Sequence, residues 1–132
     1  NKCGKKFINL GGECFYISTE HVNWWIAKET CSKMSAVLTT ISTDTATNEL
    51  LIQQELSYGN FWVGGRFQPW NSSYRWITTS EIINSGWQTG HPKHSADGLC
   101  VAFESQGSHG RGLIDWHCHN AGRYICKQVI KR

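Results

Sequence analysis

Six cysteines, Cys3, Cys14, Cys31, Cys100, Cys118 and Cys126, constrain the fold of this 132-residue chain more than any other feature. Their number is even, the chain is short, and none of them forms the C-x-x-C pair that holds zinc or drives redox exchange. That combination points to structural disulfides made in an oxidising compartment, so the chain is read as secreted or extracellular. The count alone leaves the pairing open.

A chain of this length can bury one sizeable core, and residues 1–132 are read as a single domain. No apolar run approaches the ~18 to 20 residues that span a bilayer. The chain opens on Asn1-Lys2-Cys3 without a signal-peptide core, as a mature chain or an excised domain would. The formal charge is +3, and apart from Lys2, Lys5, Lys6 and Lys131-Arg132 the basic residues are scattered, which allows weak attraction to acidic surfaces but shows no nucleic-acid stripe.

Phe7-Ile8 and Cys14-Phe15-Tyr16-Ile17, separated by Gly11-Gly12, read as a small hairpin that a bridge from Cys3 to Cys14 would staple. From Asn23, a suitable N-cap, Trp24, Ala27, Cys31 and Met34 recur at three and four residues, one face of an amphipathic helix with Lys28 and Lys33 outside. A second helix is expected from about Thr45 to Leu56, its start rich in capping residues. Short β-like pieces follow at Phe61 to Val63, Leu99 to Glu104, Gly112 to Trp116 and Tyr124 to Lys127. Between the first two lies a long segment, Gly65 to Gly98, dense in Gly, Ser, Thr, Asn and Trp; a loop of that length in a compact domain is usually functional.

The cysteines together with Phe61-Trp62-Val63-Gly64-Gly65 resemble the C-type lectin-like domain over essentially the whole chain. The pentapeptide looks like that family's Trp-Ile-Gly-Leu core motif, Arg75-Trp76-Ile77 like its following strand, and Leu99-Cys100-Val101 like its Cys-Val strand. The resemblance implies an α+β fold, with two helices packed on small antiparallel sheets and a long irregular loop. It also implies pairing of Cys31 with Cys126 and Cys100 with Cys118, with Cys3 and Cys14 forming the extra bridge of the family's long form. Trp62, Trp76 and Trp116 are expected to pack in the core, and Trp87 under the loop.

Sugar-binding members hold a calcium ion in the long loop through a Glu-Pro-Asn or Gln-Pro-Asp triplet, a further acidic side chain and an Asn-Asp pair. Here the triplet reads His91-Pro92-Lys93 and the pair Ile114-Asp115. Pro92 keeps the turn and, by resemblance, its cis peptide. His91 offers nitrogen, Lys93 a competing cation and Ile114 nothing, so only Asp115 and Asp97 survive as ligands. Calcium takes six to eight oxygens, and the usual calcium site is expected to be absent. No cofactor is therefore expected.

Five of the six histidines, His91, His94, His109, His117 and His119, fall between Gly90 and Asn120. With Asp97 or Asp115 completing a tetrahedron, imidazoles such as His91 could hold zinc; the plainer alternative is a solvated polar loop. Lys93, Arg111 and Arg123 could instead take an acidic glycan through charge-assisted hydrogen bonds. The candidate ligand-binding residues are thus His91, Lys93, Asp97, Arg111 and Asp115, with His91, Asp97 and Asp115 as the candidate metal set. Asn71-Ser72-Ser73 is an N-glycosylation acceptor.

The resemblance implies a secreted recognition domain binding carbohydrate or microbial surface glycans, like small soluble lectins of invertebrate immunity, without the usual calcium site. The alternative is a protein-interaction or extracellular-matrix module of the same fold. Catalysis is not expected: His117 and Asp115 near Ser108 or Ser95 lack a nucleophile turn, an oxyanion loop and a second acid.

Overall fold

The computed structural model describes residues 3–41, 46–54, 56–93, 99–107 and 110–129. In chain order its elements are β1 (Ile8–Leu10), β2 (Glu13–Ile17), α1 (Trp24–Lys33), β3 (Ala36–Leu38), α2 (Ala46–Gln54), β4 (Gly59–Gln68), a 3-10 turn (Pro69–Asn71), β5 (Ser73–Trp76), β6 (Cys100–Gly107), β7 (Gly110–Trp116) and β8 (Arg123–Gln128). The strands join in the order β1-β2-β8-β4-β6-β7, with β3 added on β8 and β5 on β4. Every named ladder is antiparallel except that of β4 with β8, which is parallel.

The central strands carry unbroken apolar runs because both faces of the sheet are buried, and a strand's side chains alternate between faces. Phe61, Val63, Val101, Phe103, Leu113 and Ile125 point to one face, where Leu51, Ile52 and Leu56 cover them. Trp62, Ala102, Ile114, Tyr124 and Cys126 point to the other, against Trp24, Ala27 and Cys31 of α1. The start of α1 follows the sequence: the Asn23 side chain accepts from the Ile26 N–H at 2.9 Å, and the buried helix positions are Trp24, Ala27 and Cys31.

Three disulfides, Cys3–Cys14, Cys31–Cys126 and Cys100–Cys118, pair the cysteines as the resemblance implied. The second closes 95 residues and ties α1 to β8; a loop of that length restricts the unfolded chain by roughly 4 to 5 kcal/mol. Trp62 is fully buried and donates its indole N–H to Val22 O at 3.0 Å, while Trp76 and Trp116 are half-buried against the two core faces. Trp24 and Trp87 likewise donate to backbone carbonyls, of Val63 and Ile83.

Two expectations change. The segment from Gly65 onward is not irregular at its start, because β4 continues to Gln68 and turns back through β5, so the irregular stretch begins only at Ile77. Strand β3 gave no sequence signal; three residues are too few to show a period, and its place comes from pairing with β8.

The two glycines of Phe61-Trp62-Val63-Gly64-Gly65 have a steric cause. A Cβ at Gly64 would lie 2.6 Å from Leu38 O, and one at Gly65 would lie 2.7 Å from Ile83 Cδ1 and 2.8 Å from Val101 Cβ. Gly64 N donates to Thr39 O at 2.8 Å, so the backbones of β3 and β4 meet here without room for a side chain. Gly64→Ala is expected to lower stability by about 2 to 3 kcal/mol, measured as a shift in the denaturant midpoint.

Candidate functional site

Asp115 lies on β7 opposite Val101, and its side chain is 1% exposed. A buried carboxylate is costly unless its oxygens accept hydrogen bonds. Here they accept from the Tyr74 hydroxyl at 3.1 Å, from the Lys93 backbone N–H at 2.9 and 3.0 Å, and from His91 Nδ1 at 2.8 Å. A carboxylate only accepts, so the His91 nitrogen facing it carries the hydrogen.

The strand β5 brings Tyr74 to this point, and a turn containing a cis His91–Pro92 bond brings the other two donors. The loop before that turn is stitched to β7: Leu113 N donates to Gly86 O and Gln88 N to Leu113 O, both at 2.8 Å. Gly112 permits the crossing, since a Cβ there would lie 2.8 Å from Gln88 N. The Gln88 side chain, itself buried, donates to Glu104 Oε1 at 2.6 Å and Gly110 O at 3.0 Å.

Among the predicted site residues, the structure therefore unites His91, Asp115 and the backbone of Lys93, whose side chain is exposed. It takes Arg111 elsewhere, to Glu49 on α2 at 3.3 Å. Arg123 is also committed, donating to Ser57 Oγ and Tyr58 O and stacking over Phe61. The basic cluster of Lys93, Arg111 and Arg123 is thus not assembled. His117 and His119 sit exposed in the turn after β7, their ring centroids 5.3 Å apart. Asp97, His94, His109, Ser95 and Ser108 lie outside the described residues. Tyr74 was missed, because nothing in its spacing signals a partner 41 residues away.

These groups do not fit a calcium ion. Asp115 faces three hydrogen-bond donors, His91 presents nitrogen, and Ile114 is apolar and buried, whereas calcium needs a shell of oxygens. Among the described residues, no group of three or more His, Cys, Asp or Glu side chains is placed to hold a metal.

Residues 20–128 match the family described as the Lectin C-type domain. The chain belongs to the C-type lectin domain family. "C-type lectin domain family 4 member M" of Nomascus concolor is 27% identical over 130 residues, 96% of this chain and 31% of that protein. The chain thus spans about a third of the length of that relative. The C-type lectin domain of murine dendritic cell inhibitory receptor 2, solved in complex with N-glycan, superposes with a TM-score of 0.80 at 22% identity, covering 99% of this chain and 100% of that one. A calcium-independent type II antifreeze protein superposes with a TM-score of 0.80 at 19% identity, covering 97% and 95%.

Burial, then the charge and hydrogen bond of Asp115, push the Tyr74 hydroxyl well above the ordinary tyrosine range. Burial first, then the Glu20 charge, push Tyr124 up to about 12. Folding therefore favours the protonated phenols; that contribution is complete below about pH 10 and is lost as pH rises toward the raised values. Stability should fall above pH 10, and Tyr74→Phe should make that fall shallower, read from denaturation midpoints across alkaline pH.

Asp115→Ala would leave the Tyr74, His91 and Lys93 donors facing a cavity. A loss of about 2 to 4 kcal/mol is expected, unchanged by added calcium in chemical denaturation.

Proposed function

We propose that this chain is the recognition module of a secreted protein that binds carbohydrate without calcium at Asp115. The observation that carries the reading is the saturation of the Asp115 carboxylate by Tyr74, His91 and Lys93, in a chain of this family. Glycan recognition is supported by the N-glycan complex of the murine relative, and calcium independence by an antifreeze protein of the same fold that works without the ion. Secretion is supported by the pairing of all six cysteines into disulfides. Asn71, in the turn that closes the β4–β5 hairpin, is proposed as a glycan acceptor of the mature protein.

The alternative, a protein-binding module, is favoured by one feature. Trp70 in the same turn is 79% exposed, the kind of aromatic that anchors protein interfaces.

A glycan array run in calcium and in chelator separates these readings. Glycan binding that agrees within about twofold between the two conditions is expected, since no ion contributes to the binding free energy. Binding that appears only with calcium would overturn calcium independence. An absence of glycan binding in either condition would transfer the assignment to the protein-binding module.

A further inference from the structure

Between the end of β3 and the stretch that follows β5 lies a cavity of about 690 Å³, whose lining includes neither Asp115 nor the residues that bond it. Its size falls within the roughly 300–1,000 Å³ of small-ligand sites. Thr40, Trp76, Thr79, Glu81, Ile82 and Asn84 line it. A smaller cavity of about 340 Å³ shares Thr40 as a wall and runs toward Lys127 and Val129.

The wall is held in shape by backbone bonds. Trp76 N donates to Glu81 O at 3.0 Å, Ser80 N to Trp76 O at 2.8 Å and Ile83 N to Tyr74 O at 2.9 Å. Residues 76–83 thus form a tight return fastened to β5, so a ligand meets a preformed surface and costs little ordering.

The chemistry of the lining suits a sugar. Trp76 is half-buried, and unlike Trp24, Trp62 and Trp87 its indole N–H has no hydrogen-bond partner among the described residues. The side chains of Glu81 and Asn84 are exposed and unbonded there too. Thr79 Oγ1 accepts from Glu81 N, which leaves the Thr79 hydroxyl hydrogen free to donate outward. An aromatic face beside convergent donors and acceptors matches the apolar C–H face and the hydroxyl rim of a pyranose.

Charge narrows the class. Arg75 in this cavity is engaged by Ser73 Oγ and Ser80 O, and Lys127 in the neighbouring one by Glu13. Arg75 and Glu81 leave the lining of this cavity without net charge, so it offers no cationic surface to select an acidic sugar.

We infer that this cavity is the carbohydrate site, and that it takes an uncharged oligosaccharide, with one ring on Trp76 and its hydroxyls on Glu81, Asn84 and Thr79. The inference rests on the carbohydrate reading above and locates it. The shared wall at Thr40 gives a longer chain a direction in which to extend.

The test uses neutral gluco-, manno- and galacto-oligosaccharides beside sialylated and sulfated ones, in chelator. The preferred neutral sugar is then titrated by calorimetry against wild type and a Glu81→Ala/Asn84→Ala double variant. These exposed positions leave the fold intact, which an unchanged melting curve verifies. The expected result is neutral preference, a loss of at least about tenfold in affinity in the variant, worth one decade of Kd, and a sugar-dependent shift of the Trp76 indole N–H resonance. Equal affinity in variant and wild type would overturn the location while leaving carbohydrate recognition standing. Preference for acidic sugars would overturn the ligand class. A wild type that binds no sugar would overturn the carbohydrate reading and this inference with it.

Discussion

Burial of β4, β6 and β8 on both faces is the constraint on which the rest of the molecule depends. A strand covered on one side can alternate apolar and polar residues, but Phe61-Trp62-Val63, Cys100 to Phe103 and Tyr124 to Cys126 must satisfy a core on each side. That requirement forces α1 onto one face and α2 with the stretch after β5 onto the other. The Cys31–Cys126 bridge then fastens the helix to the strand it covers. The close approach of β3 at Gly64 and of Ile83 at Gly65 follows from the same layering.

The loop is shaped by polar groups. Glycines at 86 and 112 let the chain lie against β7, and Gln88 fills the gap with bonds to Glu104 and Gly110. Asp115 then gathers one donor from a strand and two from the turn at His91–Pro92–Lys93. A buried carboxylate held by this many donors is a structural element of the loop.

Much of this architecture was legible in the chain. The even cysteines, the double-glycine motif and the spacing of Trp24, Ala27 and Cys31 each report a local demand that sequence records directly. The departure of His91, Lys93 and Ile114 from an oxygen donor set was equally plain. Contacts made across long separations were not legible. Tyr74 reaches Asp115, and Arg111 reaches Glu49, only because the sheet and α2 bring distant segments together. Strand β3 is too short to carry a pattern, and the extension of β4 to Gln68 hides among turn-forming residues, although Arg75-Trp76-Ile77 marked the strand that pairs with it. The cavity beside Trp76 belongs to the same class, since it is built from two segments whose nearness only the fold creates.

The turn at His91 and Lys93 has a consequence for how the loop is held. A bound ion obeys mass action, so the region it organises loosens when the ion is diluted. The donors on Asp115 are tethered to the same chain, and their local concentration is set by the connecting backbone. Closure of this turn on Asp115 is therefore a unimolecular event, its strength set by the chain that joins the partners.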